Sequence, residues 1–82
     1  MIRIYAKRDC YFCIKSKELL DTYNINYQYV VIGESISISE FKEIYPNVKT
    51  VPVIEVDGYK IGGYEELAKY VENTKNDYGH SI

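Results

Sequence analysis

The sequence predicts one α/β domain, a four-stranded mixed sheet flanked by three helices in the order β-α-β-α-β-β-α. The length of 82 residues suits a single domain, because typical domains have roughly 100 to 200 residues. Segments rich in β-branched and aromatic residues alternate with segments in which apolar residues recur every three or four positions. The pair Asp57-Gly58, between two strand-like segments, is typical of a β-hairpin.

The amino-terminal half predicts a β-α-β unit. Ile2–Ala6 alternates and is rich in strand-forming residues, which predicts the first strand. Apolar or small residues then recur at helical spacing from Phe12 to about Tyr23, with Asn24 as the end of the helix. The β-prone segment Asn26–Ile32 follows. Because such a crossover is normally parallel and right-handed, the helix should start at the carboxyl end of the first strand.

A second helix is predicted from about Ser37 or Ser39 to Tyr45, where Pro46 ends it. Ser39 and Lys42 do not complete a capping box, so the first residue of this helix stays open.

The carboxyl-terminal part predicts a hairpin and a last helix. Val51–Val56 and Tyr59–Ile61 are the two strands of the hairpin. The helix is predicted from Tyr64 to about Asn73, and the polar segment Thr74–Ile82 is expected to be frayed. We therefore expect a domain over residues 1–74 and a flexible tail over residues 75–82.

Composition and charge exclude several classes of function. A net charge of -2 argues against a general nucleic-acid binder, which would normally be basic. No run approaches the roughly 18 apolar residues of a membrane span. The strand-like residues at the amino terminus do not resemble a secretory signal, so we expect a cytosolic protein without membrane or nucleic-acid partners.

The pair Cys10-Tyr11-Phe12-Cys13 is the main indication of chemistry. A C-x-x-C at the first strand-to-helix turn of a small cytosolic protein is typical of thiol-disulfide redox sites. Unpaired N–H groups and the dipole at a helix N-terminus favour a thiolate, which is the attacking species. Cys10 is therefore the predicted exposed nucleophile, and Cys13, about one turn on, the predicted resolving thiol.

The charges beside the cysteines point the same way. Lys7 and Arg8 would favour the thiolate and attract an anionic substrate, whereas Asp9 opposes this effect. Ordinary solvated loop charges are the alternative for both cations.

Three other roles for the cysteines carry less weight. A structural disulfide over so short a loop would remove little entropy from the unfolded chain. A structural zinc site needs four ligands, and the rest of the chain adds only His80, so no metal is expected. Two buried, inert thiols are the third alternative, which their place at a helix start disfavours.

Two further segments have special backbone requirements. Pro52 stands in a strand that would otherwise be central, where proline cannot donate to the ladder. By frequency alone its peptide bond should be trans, since only about 5 to 6% of X-Pro bonds are cis. Gly62-Gly63 precedes a helix whose free N–H groups could hold a carboxylate, although a plain turn is the ordinary interpretation.

Three segments in the same order and spacing resemble the dithiol glutaredoxins over nearly the whole chain. They are Tyr5-Ala6-Lys7 before the Cys10-Tyr11-Phe12-Cys13 motif, Lys49-Thr50-Val51-Pro52-Val53-Ile54, and Ile61-Gly62-Gly63-Tyr64-Glu65-Glu66-Leu67. The resemblance implies a thioredoxin-like fold in which Pro52 is cis and packs against the cysteines. In length, and in lacking a proline between the cysteines, the chain is similar to small phage-type glutaredoxins.

The resemblance also implies glutathione as co-substrate and no tightly bound cofactor. Glutathione would pair with the Val51 backbone, with its γ-glutamyl end near Gly63, Tyr64 and Glu65 and its glycyl carboxylate near Lys7. The wider implied set adds Tyr11, Phe12, Lys49, Thr50 and Pro52. Tyr11-Phe12 replaces the Pro-Tyr that many relatives carry, which leaves the reduction potential and the choice between monothiol and dithiol routes open.

The implied function is reduction of protein disulfides or glutathione mixed disulfides, with ribonucleotide reductase as one candidate partner by family analogy. We expect a monomer, because nothing in the sequence suggests a large exposed apolar patch. Two alternatives stay open. One is an electron donor that depends on thioredoxin reductase, and the other is a dimer that holds an iron-sulfur cluster with glutathione.

Overall fold

The computed structural model describes the backbone of residues 1–79 and the side chains of residues 1–74. It confirms the predicted fold class and the order of all seven elements. They are β1 Ile2–Ala6, α1 Tyr11–Thr22, β2 Tyr27–Val31, α2 Ile38–Ile44, β3 Val53–Val56, β4 Tyr59–Gly62 and α3 Tyr64–Gly79.

The four strands form one mixed sheet in the order β2-β1-β3-β4. β1 pairs with β2 in parallel, so the predicted parallel crossover is confirmed. β1 pairs with β3 antiparallel, with Tyr5 opposite Val53, and β4 returns antiparallel to β3. Because β1 and β3 run in opposite directions, the end of β1 and the start of β3 lie at the same edge of the sheet. The cysteine loop and Pro52 therefore meet there.

Each face of the sheet buries its own cluster of apolar side chains. On one face, α1 and α3 cover a cluster in which Ile4, Leu20, Ile54 and Leu67 have no exposed surface. On the other face, α2 places Phe41 against Tyr5, with ring centroids 5.2 Å apart. The alternation of side chains along β1 feeds both clusters, and the helices hold the site at the shared edge in place.

Local backbone chemistry explains where several elements begin and end. Asp57 and Gly58 both have positive φ, 52° and 87°, as a type I′ hairpin turn requires. Asn24 follows α1 with φ 56°, a conformation that asparagine tolerates well. Helix α2 is capped by Ser37, whose hydroxyl accepts the Glu40 N–H at 3.0 Å. Ser37 and Glu40 have the spacing of a capping box, whereas Ser39 and Lys42, the pair considered in the sequence, do not form one.

Two predicted boundaries differ from the structure by two residues or more. β3 begins at Val53 rather than Val51, because Pro52 has no N–H to offer the ladder. α3 continues to Gly79, beyond the predicted end at Asn73. No proline or glycine interrupts it before residue 79, and the Thr74 hydroxyl donates to the Tyr70 carbonyl at 2.9 Å.

The predicted flexibility of residues 75–82 stays a prediction, and His80 lies outside the described residues. Within residues 1–79, no helix combines the length and the apolar character needed to cross a membrane.

Candidate active site

The cysteine loop leads from β1 into α1 and places one sulfur at the start of the helix. Asp9 turns the chain with φ 57°, and Cys10 is the extended N-cap residue of α1. The Sγ of Cys10 accepts the Cys13 N–H at 3.2 Å. A sulfur in this position faces the unpaired N–H groups and the positive end of the helix dipole, which stabilise a thiolate.

Cys10 and Cys13 form a disulfide, with their Cα atoms 5.2 Å apart. Cys13 has no exposed surface, whereas Cys10 is half-buried. Cys10 is less exposed than predicted, because it packs against the cluster beneath α1 and α3. Cys10 is nevertheless more exposed than Cys13, as predicted, so an incoming thiol or disulfide meets the Cys10 sulfur first.

The peptide bond between Val51 and Pro52 is cis. This confirms the cis bond that the resemblance implied. The trans bond expected from the frequency of X-Pro isomers alone is wrong. The Val51 carbonyl oxygen lies 4.0 Å from the Cys10 Sγ. In the disulfide form that sulfur carries no proton, so this is a contact between atoms rather than a hydrogen bond. The Val51 backbone therefore lies directly beside the reactive sulfur.

A cavity of about 340 Å³ opens between Val51 and the start of α3, and we call it the α3 cavity. It is lined by predicted site residues, namely Phe12, Thr50, Pro52, Gly63, Tyr64 and Glu65. The Phe12 and Tyr64 rings stand 5.6 Å apart and form one wall. The structure thus brings the cysteine loop, the proline segment and the double glycine to one place.

Glu66 also lines the α3 cavity, and sequence analysis missed it. Its Oε1 accepts the Gly63 N–H at 2.8 Å, and backbone hydrogen bonds from Gly63 and from its own N–H lower the pKa of this carboxyl. The side chain folds over Gly62, where an added Cβ would lie 2.5 Å from the Glu66 Cγ. A glutamate three residues after the residue that precedes the helix, here Gly63, is the capping pattern that could have identified it.

A second cavity of about 340 Å³ lies on the other side of Val51, and we call it the lysine cavity. Lys7 and Lys49, both predicted, line it together with Lys42 from α2, which was not predicted. Its floor is apolar and includes Ile32, Phe41 and Val48. Thr50 and Val51 line both cavities, which therefore lie side by side, and we call the two together the cleft. Cys10 lines neither cavity, but its Sγ lies beside the Val51 carbonyl oxygen at the boundary between them.

Arg8 does not act on the cysteines in the way the sequence suggested. Its Nη2 donates to Glu34 Oε1 at 2.7 Å, and its Nε donates to Glu34 Oε2. This pairing raises the pKa of Arg8 and lowers that of Glu34, the side-chain hydrogen bond being the main cause in each case. The nearby carboxylate balances the charge of Arg8, which leaves Lys7 as the cation of this loop that faces the cleft.

Tyr11 is the one predicted binding residue that lines neither cavity. Its side chain is 66% exposed, and its ring meets the Phe12 ring edge-on with centroids 5.1 Å apart. Lys15 Nζ lies 5.7 Å from the Tyr11 centroid, within the range of a cation-π contact. Tyr11 thus belongs to the surface around the cleft.

In the described part of the chain, no three His, Cys, Asp or Glu side chains gather in a way that could hold a metal ion.

Comparison with known proteins identifies the family. The family model for glutaredoxin matches residues 2–61, which include both cysteines and Pro52. The chain belongs to the glutaredoxin family. With its C-x-x-C motif it is a dithiol glutaredoxin, a thiol-disulfide oxidoreductase.

Relatives and solved structures agree with this assignment. Glutaredoxin 1 of Escherichia coli is 33% identical over 76 residues, which cover 84% of this chain and 89% of that protein. The structure of reduced Escherichia coli glutaredoxin superposes with a TM-score of 0.71 at 32% identity, covering 92% of this chain and 96% of the other. The hybrid peroxiredoxin hyPrx5 of Haemophilus influenzae is 32% identical over 69 residues, 84% of this chain, which spans only 28% of that longer protein.

Proposed function

We propose that this glutaredoxin uses glutathione to reduce protein disulfides or glutathione mixed disulfides through the Cys10/Cys13 pair. The observation that carries the proposal is the position of the Cys10 sulfur, at the N-terminus of α1 and 4.0 Å from the carbonyl oxygen of Val51, a residue that lines both the acidic and the basic cavity.

The two ends of the cleft suit the two ends of glutathione. Glu65 and Glu66 line the α3 cavity, where the γ-glutamyl amine would be placed, and the N–H groups that begin α3 suit the neighbouring carboxylate. Lys7 and Lys49 line the opposite cavity, where the glycyl carboxylate would be placed. The Val51 backbone between them would pair with the cysteinyl residue of the tripeptide and hold its sulfur near Cys10.

The reaction begins when the Cys10 thiolate attacks one sulfur of the substrate disulfide. A bond forms between the two sulfurs, the original disulfide breaks, and the leaving thiolate takes the electron pair. The Cys13 thiolate, or a glutathione thiolate, then attacks the Cys10 sulfur and releases the bound product. If Cys13 attacks, the protein ends as the Cys10–Cys13 disulfide, and two glutathione molecules return it to the dithiol form as they become glutathione disulfide.

Several other expectations stay predictions. The absence of a tightly bound cofactor and a role as electron donor to ribonucleotide reductase rest on family analogy, whereas the cytosolic location and the monomeric state rest on the sequence. Tyr11, exposed at the rim of the cleft, is better placed to contact a protein substrate than glutathione.

The test is reduction of a glutathione mixed disulfide coupled to glutathione reductase and NADPH. We expect activity in the wild type, none in Cys10→Ser, and retained activity in Cys13→Ser, because glutathione can resolve the mixed disulfide. The same assay with thioredoxin reductase in place of glutathione and its reductase is the control. Activity only with thioredoxin reductase would refute glutathione dependence.

A further inference from the structure

The lysine cavity carries more positive charge than one carboxylate requires. Lys7, Lys42 and Lys49 line it, and none of its lining residues is acidic. None of the three lysines has an ion-pair partner within residues 1–74, in contrast to Arg3 and Arg8. Within residues 1–74, no ion pair therefore offsets these three charges, although the net charge of the chain is -2.

The α3 cavity has the opposite character. Glu65 and Glu66 line it and no basic residue does. Charge is therefore sorted along the cleft, with the Val51 backbone at the boundary. A substrate that crosses Cys10 meets carboxylates on the α3 side and ammonium groups on the other side.

We propose that the lysine cavity recognises a disulfide substrate that carries two negative charges on the carboxyl side of its reacting cysteine, with Lys42 as the residue that selects for the second charge. The proposal rests on the proposed function, because that function sets the orientation of the substrate. Glutathione places one carboxylate at this end, which Lys7 and Lys49 can hold. A cysteine followed by an acidic residue would place a second one there.

The position of Lys42 supports this assignment. Lys42 lies on α2, so it reaches the cavity from a different element than the cysteine loop and the proline segment. The apolar floor of Ile32, Phe41 and Val48 gives the carbon chain of an acidic side chain a surface to lie on. The ordinary role of Lys42 is to complement the negative end of the α2 dipole, since it lies in the last turn. That role affects stability but not the choice between substrates.

The test uses three peptides that carry no, one and two carboxylates at this end, namely γ-glutamyl-cysteinyl-glycine amide, glutathione and γ-glutamyl-cysteinyl-glutamate. Each is supplied as a mixed disulfide with 2-thiopyridine and mixed with excess protein in the dithiol form. Cys10 attacks the peptide sulfur, the bond between the two substrate sulfurs breaks, and the electron pair leaves with thiopyridine, whose absorbance is followed. The bond from Cys10 to the peptide replaces the bond that was lost.

We expect the second-order rate constant to rise with each added carboxylate, by about two- to fivefold for an exposed charge pair. The gain should fade at about 1 M salt, where the Debye length is about 3 Å. In Lys42→Gln the ratio between the glutamate peptide and glutathione should fall towards one. Lys17→Gln, which removes an exposed charge on α1 away from the cleft, should keep the wild-type ratio.

Equal rate constants for glutathione and the glutamate peptide in the wild type would overturn the proposal, and so would an unchanged ratio in Lys42→Gln. Because this measurement needs no glutathione turnover, its outcome is separate from that of the coupled assay. If the rate constants rise with the number of carboxylates but the assay coupled to glutathione reductase shows no activity, only the proposal that the enzyme uses glutathione is refuted.

Discussion

Tyr45 and Glu55 form a polar contact that fixes the segment leading to the cleft, and removing this contact should destabilise the fold. Glu55 lies in β3 and is only 5% exposed, and its Oε2 accepts the Tyr45 hydroxyl. Its Oε1 lies 3.4 Å from Arg3 Nη1, a long contact. Tyr45 ends α2 and precedes the loop that carries Lys49 and Thr50.

Tyr45→Phe keeps the ring and its packing on Tyr5 and Phe41 but leaves the buried carboxylate with the ion pair to Arg3, at 3.4 Å, as its remaining side-chain contact. A hydrogen bond to a charged group contributes about 1.5–3 kcal/mol, and the half-buried position of Tyr45 lets water replace part of it. We therefore expect a loss of about 1.5 kcal/mol in the free energy of unfolding. In a domain of this size, that corresponds to a lower Tm by about 6–12 °C.

Urea unfolding measures this change, with Tyr59→Phe as the matched control. The Tyr59 side chain is 78% exposed, so its variant should stay within about 0.5 kcal/mol of the wild type. Combining Tyr45→Phe with Glu55→Gln in a double-mutant cycle isolates the contact. A change in Tyr45→Phe no larger than that in Tyr59→Phe, or a coupling energy near zero, would refute the reasoning.

Two further predictions concern the start of α3. Gly62→Ala should lower the free energy of unfolding by about 1–3 kcal/mol, because the position has positive φ and an added Cβ would lie 2.5 Å from the Glu66 Cγ. Gly33→Ala is the control and should cost less, because Gly33 also has positive φ but an added Cβ there would meet no atom within 4 Å. Glu66→Gln should flatten the loss of stability in acid, measured by urea midpoints between about pH 3 and pH 6. The folded-state pKa of Glu66 lies below 4.5, so its contribution is present above that pH and is lost as the pH falls. Parallel pH profiles would contradict this.

The sequence predicted those parts of the fold that depend on local chemistry. Ile2–Ala6 matches β1 residue for residue, and Asp57-Gly58 makes the predicted turn because both residues tolerate positive φ. Cys10 lies at the start of α1 because a strand followed by a helix forces a turn there. These features need only neighbouring residues, which a sequence shows directly.

Contacts between distant segments could not be predicted in the same way. Lys42 and Lys7 meet at one cavity only because β1 and α2 pack together, and no spacing in the chain encodes that meeting. Arg8 pairs with Glu34, which is also far away in the sequence. A count of the charges next to the cysteines therefore overestimated the effect of Arg8 on the Cys10 thiolate. The cis bond at Pro52 was expected from resemblance to a family and not from the residues themselves.

The predicted end of α3 was wrong for a different reason. Polar residues with modest helix propensity follow Asn73, and these alone favour a frayed tail. A helix that is already anchored by Leu67 and Val71 in the core can extend through them without a new nucleation step.

We expect Cys10 to be the sulfur that attacks and Cys13 the sulfur that resolves. The intact mass of Cys13→Ser and of Cys10→Ser tests these roles, after each variant is mixed with glutathione disulfide under native conditions and then quenched with acid. We expect one glutathione bound to Cys13→Ser, at Cys10, and none bound to Cys10→Ser, because Cys13 has no exposed surface. An adduct on Cys13 in Cys10→Ser at a comparable rate would contradict it.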